Sequence, residues 1–228
     1  MKLFFKEKKS FLIIFFCILS VDIIFKNFDF LYKFRYISKL LITASLILHF
    51  YYNSHGFLKN ERILVLLALF FSFVADFFLI DSSNILFMGL GMFMFILAKV
   101  SYSIFYSFKA QFNVHFFWPF LGVAFLYYFF VTLFLYDGLG NLFIPALIYV
   151  LASVTMIKMA FLRNRNVNNK SYIFVLIGAF LFLAAETILS INSFYTPVWH
   201  ANVTLMLSYG LSQLFTIRGI ILQKDPLD

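Results

Sequence analysis

The stretch Leu67–Ile80, LALFFSFVADFFLI, decides how this chain is read, because it sets one carboxylate, Asp76, inside a run that is otherwise apolar enough to sit in lipid. An ionisable side chain at membrane depth costs a few kcal/mol or more, so it faces the protein interior, finds a partner and marks a functional site. Ile177–Ser190, IGAFLFLAAETILS, repeats the arrangement with Glu186 in place of the aspartate. Two intramembrane carboxylates in matching settings are the main clue to function.

Working outward, the 63% hydrophobic and 12% charged composition runs the length of the chain, which excludes an ordinary soluble domain and defines a polytopic membrane protein. The formal charge of +8 lies in short loops between apolar runs, where it sets topology; no nucleic-acid partner is expected. Cys17 is the sole cysteine, so no intrachain disulfide forms, and His49, His55, His115 and His200 lack ligand spacing. Neither a metal nor a cofactor is predicted. The basic N-terminus and its apolar run resemble a signal peptide without a small-residue cleavage site, and read as a retained first helix.

A membrane helix needs about 20 mostly apolar residues. Runs near 10–25, 36–52, 62–80, 85–107, 114–136, 140–162, 171–191 and 199–222 predict an all-α bundle of eight transmembrane helices forming a single transmembrane domain, 1–228. The first run is the weakest, being short and carrying Asp22. Lys2, Lys6, Lys8, Lys9, Lys59, Arg62, Lys109, Arg163, Arg165, Lys170 and Lys224 gather on one side, against Lys26, Lys33 and Arg35 on the other. Both termini are therefore expected in the cytoplasm, in a bacterial inner membrane.

The two acids also hint at duplication. Lys99 follows Asp76 by 23 residues (99 − 76) and Tyr209 follows Glu186 by 23 (209 − 186), which fits two parallel four-helix halves. Lys99, Tyr102, Ser103 and Tyr106 share one face of the fourth helix, and Asn202, Tyr209 and Gln213 share a stripe on the eighth. Lys39, near the start of the second helix, either joins the site or snorkels to the interface. Lys99 is too deep to snorkel and needs a carboxylate or carbonyl partner. Asp76 and Glu186 are expected to face one polar cavity lined also by Tyr209 and Gln213. The Gly89-Leu90-Gly91 sequence reads as a close helix contact.

FSFVADFFLI followed by GLGMFMFILAKVSY, then IGAFLFLAAETILSINSF followed by LSYGLSQL, resembles the YhhN family of membrane proteins, which includes the lysoplasmalogenases. The likeness runs from about Tyr36 to Ile221. Phe71, Ser72, Asp76, Gly89, Gly91, Leu97, Ala98, Tyr102, Tyr209 and Gln213 match the family pattern. Ala75 stands for its glycine, Lys99 for its histidine, Ala185-Glu186 for its serine-aspartate, and Lys39-Leu40 for its lysine-proline. The resemblance implies hydrolysis of the vinyl ether bond of lysoplasmalogens to a fatty aldehyde and a glycerophospho-alcohol, with Asp76 and Glu186 as the catalytic pair. Lys39, Lys99, Tyr102, Asn202, Tyr209 and Gln213 are the expected substrate-binding residues, and the partner is a lysophospholipid or other single-chain lipid drawn from the membrane. Two rivals share the residues: a proton-coupled transporter or lipid flippase in which the acids relay protons, and an inactive lipid-binding protein whose polar network only joins helices.

Overall fold

The computed structural model describes residues 8–111 and 114–223, with the backbone alone at 8, 114–117, 119–121 and 123. Among them the helices are α1 (Lys8–Asn27), α2 (Arg35–Asn53), α3 (Lys59–Phe78), α4 (Ile85–Ser107), α5 (Val114–Leu139), α6 (Phe143–Phe161), α7 (Asn169–Phe194) and α8 (Ala201–Leu222). No strand occurs among the described residues. Lys2, Lys6 and Lys224, which enter the charge count, and the side chains of Lys8 and His115 lie outside them.

Local chemistry fixes the helix starts. The Asn84 side chain caps α4 by accepting from the Leu86 and Phe87 amides, Asn168 caps α7 by accepting from Ser171 N at 2.7 Å, and Glu61 reaches back to the Leu58 amide at 3.1 Å ahead of α3. Short 3₁₀ turns, Asp29–Phe34, Leu79–Asp81 and Gly140–Leu142, carry the chain between antiparallel neighbours, the last starting at Gly140 with φ +47°.

Six stretches are long and apolar enough to cross a membrane: Lys9–Asn27, Lys59–Asp81, Ile85–Ser107, Ala124–Phe161, Asn169–Phe194 and Ala201–Leu222. The fourth takes in most of α5 together with α6. The expected count of eight crossings is thus met only in part, because α2 is not among these stretches. Its Arg35, Ser38, Lys39, Thr43, Ser45 and His49 lower its apolar content, and all of them are buried against neighbouring helices. Asp22, which weakened the first run, is fully buried and accepts from Ser38 Oγ at 2.6 Å with Arg35 Nη2 at 3.5 Å. The outer surface carries Ile13, Phe30, Phe70, Trp118, Phe125 and Ile144, more than half exposed, the reverse of a soluble protein and the expected face toward lipid. The chain is a multi-pass membrane protein.

The tightest packing joins α7 to α8, followed by α3 to α4. A Cβ on Gly178 would lie 2.4 Å from Thr216 Oγ1 and 2.8 Å from Thr216 N, so only glycine lets α7 and α8 come this close. Gly91 serves α4 in the same way, where a Cβ would meet Leu79 Cγ at 2.6 Å; Gly89 has ordinary clearance. The main core runs through α1–α4 and α6–α8. A second apolar cluster, including Met88, Val131, Leu135, Leu139, Ala146 and Val150, fixes α5, whose chief packing partners are α6 and α7.

Candidate active site

Asp76 sits in the last turn of α3 and is 1% exposed. Its Oδ2 accepts from Thr43 Oγ1 at 2.5 Å and from Tyr209 OH at 2.7 Å, while Lys39 Nζ stands 3.6 Å from Oδ1. Glu186 lies in the second half of α7. Its Oε1 receives Lys99 Nζ at 2.5 Å and Tyr149 OH at 2.8 Å, and its Oε2 accepts from Ser153 Oγ at 2.8 Å. Lys99 also donates to Ser153 Oγ at 2.7 Å and rests 3.1 Å from the centre of the Tyr149 ring, so the ammonium is satisfied on several sides.

Each acid is therefore held by one lysine, one tyrosine and one aliphatic hydroxyl, with lysine and tyrosine exchanging places. For Asp76 the lysine comes from α2 and the tyrosine from α8; for Glu186 the tyrosine comes from α6 and the lysine from α4. Corresponding residues stand at a constant separation: 149 − 39, 153 − 43, 186 − 76 and 209 − 99 all equal 110. The buried residues of α3, Glu61, Val65, Ala68, Leu69, Ser72, Ala75 and Asp76, fall after the same shift on the buried residues of α7, Ser171, Val175, Gly178, Ala179, Phe182, Ala185 and Glu186. The 23-residue spacing in the sequence is part of this register, but the contacts cross over. Lys99 meets Glu186, and Tyr209 meets Asp76.

Asp76, Glu186, Lys39, Tyr149 and Tyr209 line one cavity of about 70 Å3, room for a few water molecules. Its rim adds Lys26, Tyr32, Arg35 and Ser82 from the loop ends of α1–α4. Lys39 is 5% exposed and faces this cavity, so it is an interior cation and not a snorkelling one.

Several expected members stand elsewhere. Gln213 is one turn further along α8, behind the cavity wall, with its amide nitrogen 3.4 Å from both Tyr209 OH and Ser72 Oγ. Lys99 contacts Glu186 but does not itself line the cavity. Tyr102 is turned away, its ring stacked on Tyr106 at 6.0 Å, because the helical step from Lys99 carries it a turn further from the acids. Asn202 is exposed in the first turn of α8 and donates to the Lys26 carbonyl at 3.4 Å, outside the cavity. Thr43, Tyr149, Ser153 and the Asp22–Arg35 pair were not singled out from the sequence. Thr43 and Ser153 each lie 33 residues before their acid, and Lys39 and Tyr149 each 37 before, a signal available once the second and sixth helices are aligned with each other.

No group of three or more His, Cys, Asp or Glu side chains able to hold a metal occurs among the described residues. The donors surround two carboxyl groups that line one small cavity.

Fold and site together define a class: a helical multi-pass membrane protein with a paired-carboxyl cavity between its helices. The sequence profile of the YhhN family matches residues 34–220, and the chain belongs to that family. No functionally curated protein and no solved structure matches the chain.

Proposed function

We propose that this protein is a lysoplasmalogenase-like hydrolase, cleaving the vinyl ether bond of a lysoplasmalogen to a fatty aldehyde and a glycerophospho-alcohol. The observation that carries this reading is that Asp76 and Glu186 line one cavity at matched positions. Vinyl ether cleavage needs a proton donor at the β-carbon and a second group beside the cation that results, the division of labour that paired carboxyls perform on glycosides.

Asp76 is the donor in this scheme. Its Oδ2 already accepts two hydrogen bonds, whereas Oδ1 has only the Lys39 ammonium at 3.6 Å, which leaves Oδ1 as the oxygen to carry the donated proton. The double-bond electrons take the Asp76 proton at the β-carbon, leaving an oxocarbenium ion stabilised by the neighbouring Glu186. A cavity water adds to the carbon bearing the ether oxygen and passes its proton to Asp76. The hemiacetal then breaks its bond to the glycerol oxygen, which takes that proton from Asp76, while the hemiacetal hydroxyl gives its own proton to Asp76 as the aldehyde carbonyl forms, so the acid is regenerated and one water is consumed overall. Tyr209 and Thr43 fix the orientation of Asp76; Lys99, Tyr149 and Ser153 fix that of Glu186.

The 110-residue register supports two parallel four-helix halves, α1–α4 and α5–α8, with the site at their junction. That arrangement and the loop charges support eight crossings with cytoplasmic termini, which we propose for a bacterial inner membrane. Paired halves are also the plan of a rocking transporter. One preparation in sealed vesicles separates the two: aldehyde release from an added lysoplasmalogen without coupled proton movement supports the hydrolase, and proton or lipid flux without aldehyde overturns it.

A further inference from the structure

Glu186 borders two chambers. Beside the cavity shared with Asp76 lies a second, of about 40 Å3, whose wall also contains Leu79, Tyr149, Glu186 and Leu189. The two differ sharply in chemistry. The first carries Lys26, Arg35 and Lys39; the second is walled mainly by Met88, Met92, Val131, Leu135 and Ala146. Arg35 is paired with Asp22 and Lys39 faces Asp76, but among the described residues Lys26 has no carboxylate within ion-pair distance. A half-buried lysine with no carboxylate in ion-pair contact, lining the same chamber as Arg35 and Lys39, favours an anion there.

Resting on the vinyl-ether reading, we propose that the lipid lies across Glu186: its phosphate sits in the first chamber against Lys26, and its hydrocarbon chain enters the second, between α5 and the helices that pack on it. The bond to be cleaved joins headgroup backbone to chain, so this placement sets it at the partition, where Glu186 stands and Asp76 opens from the headgroup side. The second chamber holds only the first few carbons. The rest of the chain leaves toward the bilayer along α5, the helix held by the separate apolar cluster and packed chiefly on α6 and α7. Met88 and Met92 suit such a channel, since unbranched thioether side chains adapt to a sliding chain.

The test uses the full-length purified protein and non-cleavable alkyl-ether lysophosphatidylethanolamines of eight to eighteen carbons, with binding measured directly. Ala146→Leu and Val131→Phe each fill the second chamber. Each methylene they exclude weakens binding about fourfold, so long-chain binding falls by about tenfold or more while Lys26 contacts are kept. Lys26→Gln removes the preference for the phospholipid over the matching alkylglycerol and leaves chain-length preference as it was. Unchanged chain-length profiles in both filling variants, with both proteins folded, overturn the chain assignment; glycerophosphoethanolamine alone competing as strongly as the intact lipid does the same. Lys26→Gln binding both lipids as the unmodified protein does overturns the headgroup assignment. Because the readout is binding, the expected profiles without aldehyde release uphold this placement and sink the proposed reaction, whereas aldehyde release with flat profiles does the reverse.

Discussion

Replacing Lys99 by methionine gives the most informative single perturbation of the site. Lys99 is fully buried and in direct contact with Glu186, which is itself 7% exposed. Lys99→Met keeps the length of the side chain and removes the charge, so Glu186 retains Tyr149 and Ser153 but loses its counter-ion in a water-poor interior. Breaking a buried pair from one side costs about 3–5 kcal/mol. At about 2–4 °C per kcal/mol for a chain of this size, the midpoint of thermal unfolding in detergent falls by on the order of 10 °C. The double variant Lys99→Met with Glu186→Met removes both charges and fills the same space, so it recovers most of the loss, a non-additivity of about 2 kcal/mol or more. A Lys99→Met midpoint equal to that of the unmodified protein, or a double variant as unstable as the two single losses added, would refute the buried-pair reasoning. Lys39→Met is the control: at 3.6 Å from Asp76, which keeps Thr43 and Tyr209, it costs less than Lys99→Met.

Tyr149→Phe and Tyr209→Phe each remove one hydrogen bond to a carboxyl group, and the matched geometry predicts similar losses of about 1.5–3 kcal/mol in unfolding free energy. Gly178→Ala forces α7 away from the backbone of α8 and destabilises by about 1–3 kcal/mol, while Gly122→Ala, with open space around it, causes no loss in the same melting assay. Hydrolysis in oxygen-18 water leaves the glycerophospho-alcohol unlabelled by mass spectrometry, because water adds to the alkenyl carbon; label in that product would mean that the other carbon–oxygen bond breaks. A C-terminal reporter active only on the outer face would contradict cytoplasmic termini.

The fold was legible in the sequence wherever one helix faces lipid on one side and packs on the other, since a continuous apolar run records that environment directly. At α2 the sequence reads a span over 36–52 and the helix forms over Arg35–Asn53, but with Lys39, Thr43 and His49 covered by other helices the stretch is not among those apolar enough to cross a membrane. Asp76 and Glu186 stood out because a carboxylate among phenylalanines has no other use. Tyr149 and Ser153 did not, because a tyrosine and a serine in an apolar helix look the same whether they hold a carboxylate or a neighbouring carbonyl; the choice is made by the approach of α6 to α7. The crossed pairing of Lys99 with Glu186 and of Tyr209 with Asp76 was likewise invisible, since equal spacing within each half gives no sign of which half supplies the partner.

The central claim is that Asp76 and Glu186 act together on one bond. It is tested most directly by the rate of fatty aldehyde release from a lysoplasmalogen by the purified, folded protein and by its Asp76→Asn and Glu186→Gln variants, amides that keep the shape of each acid. The account predicts release by the unmodified protein and a fall of at least about a hundredfold in each variant, the usual cost of losing a positioned acid or base. Near-normal turnover in both variants, or no aldehyde from the unmodified protein, would contradict it.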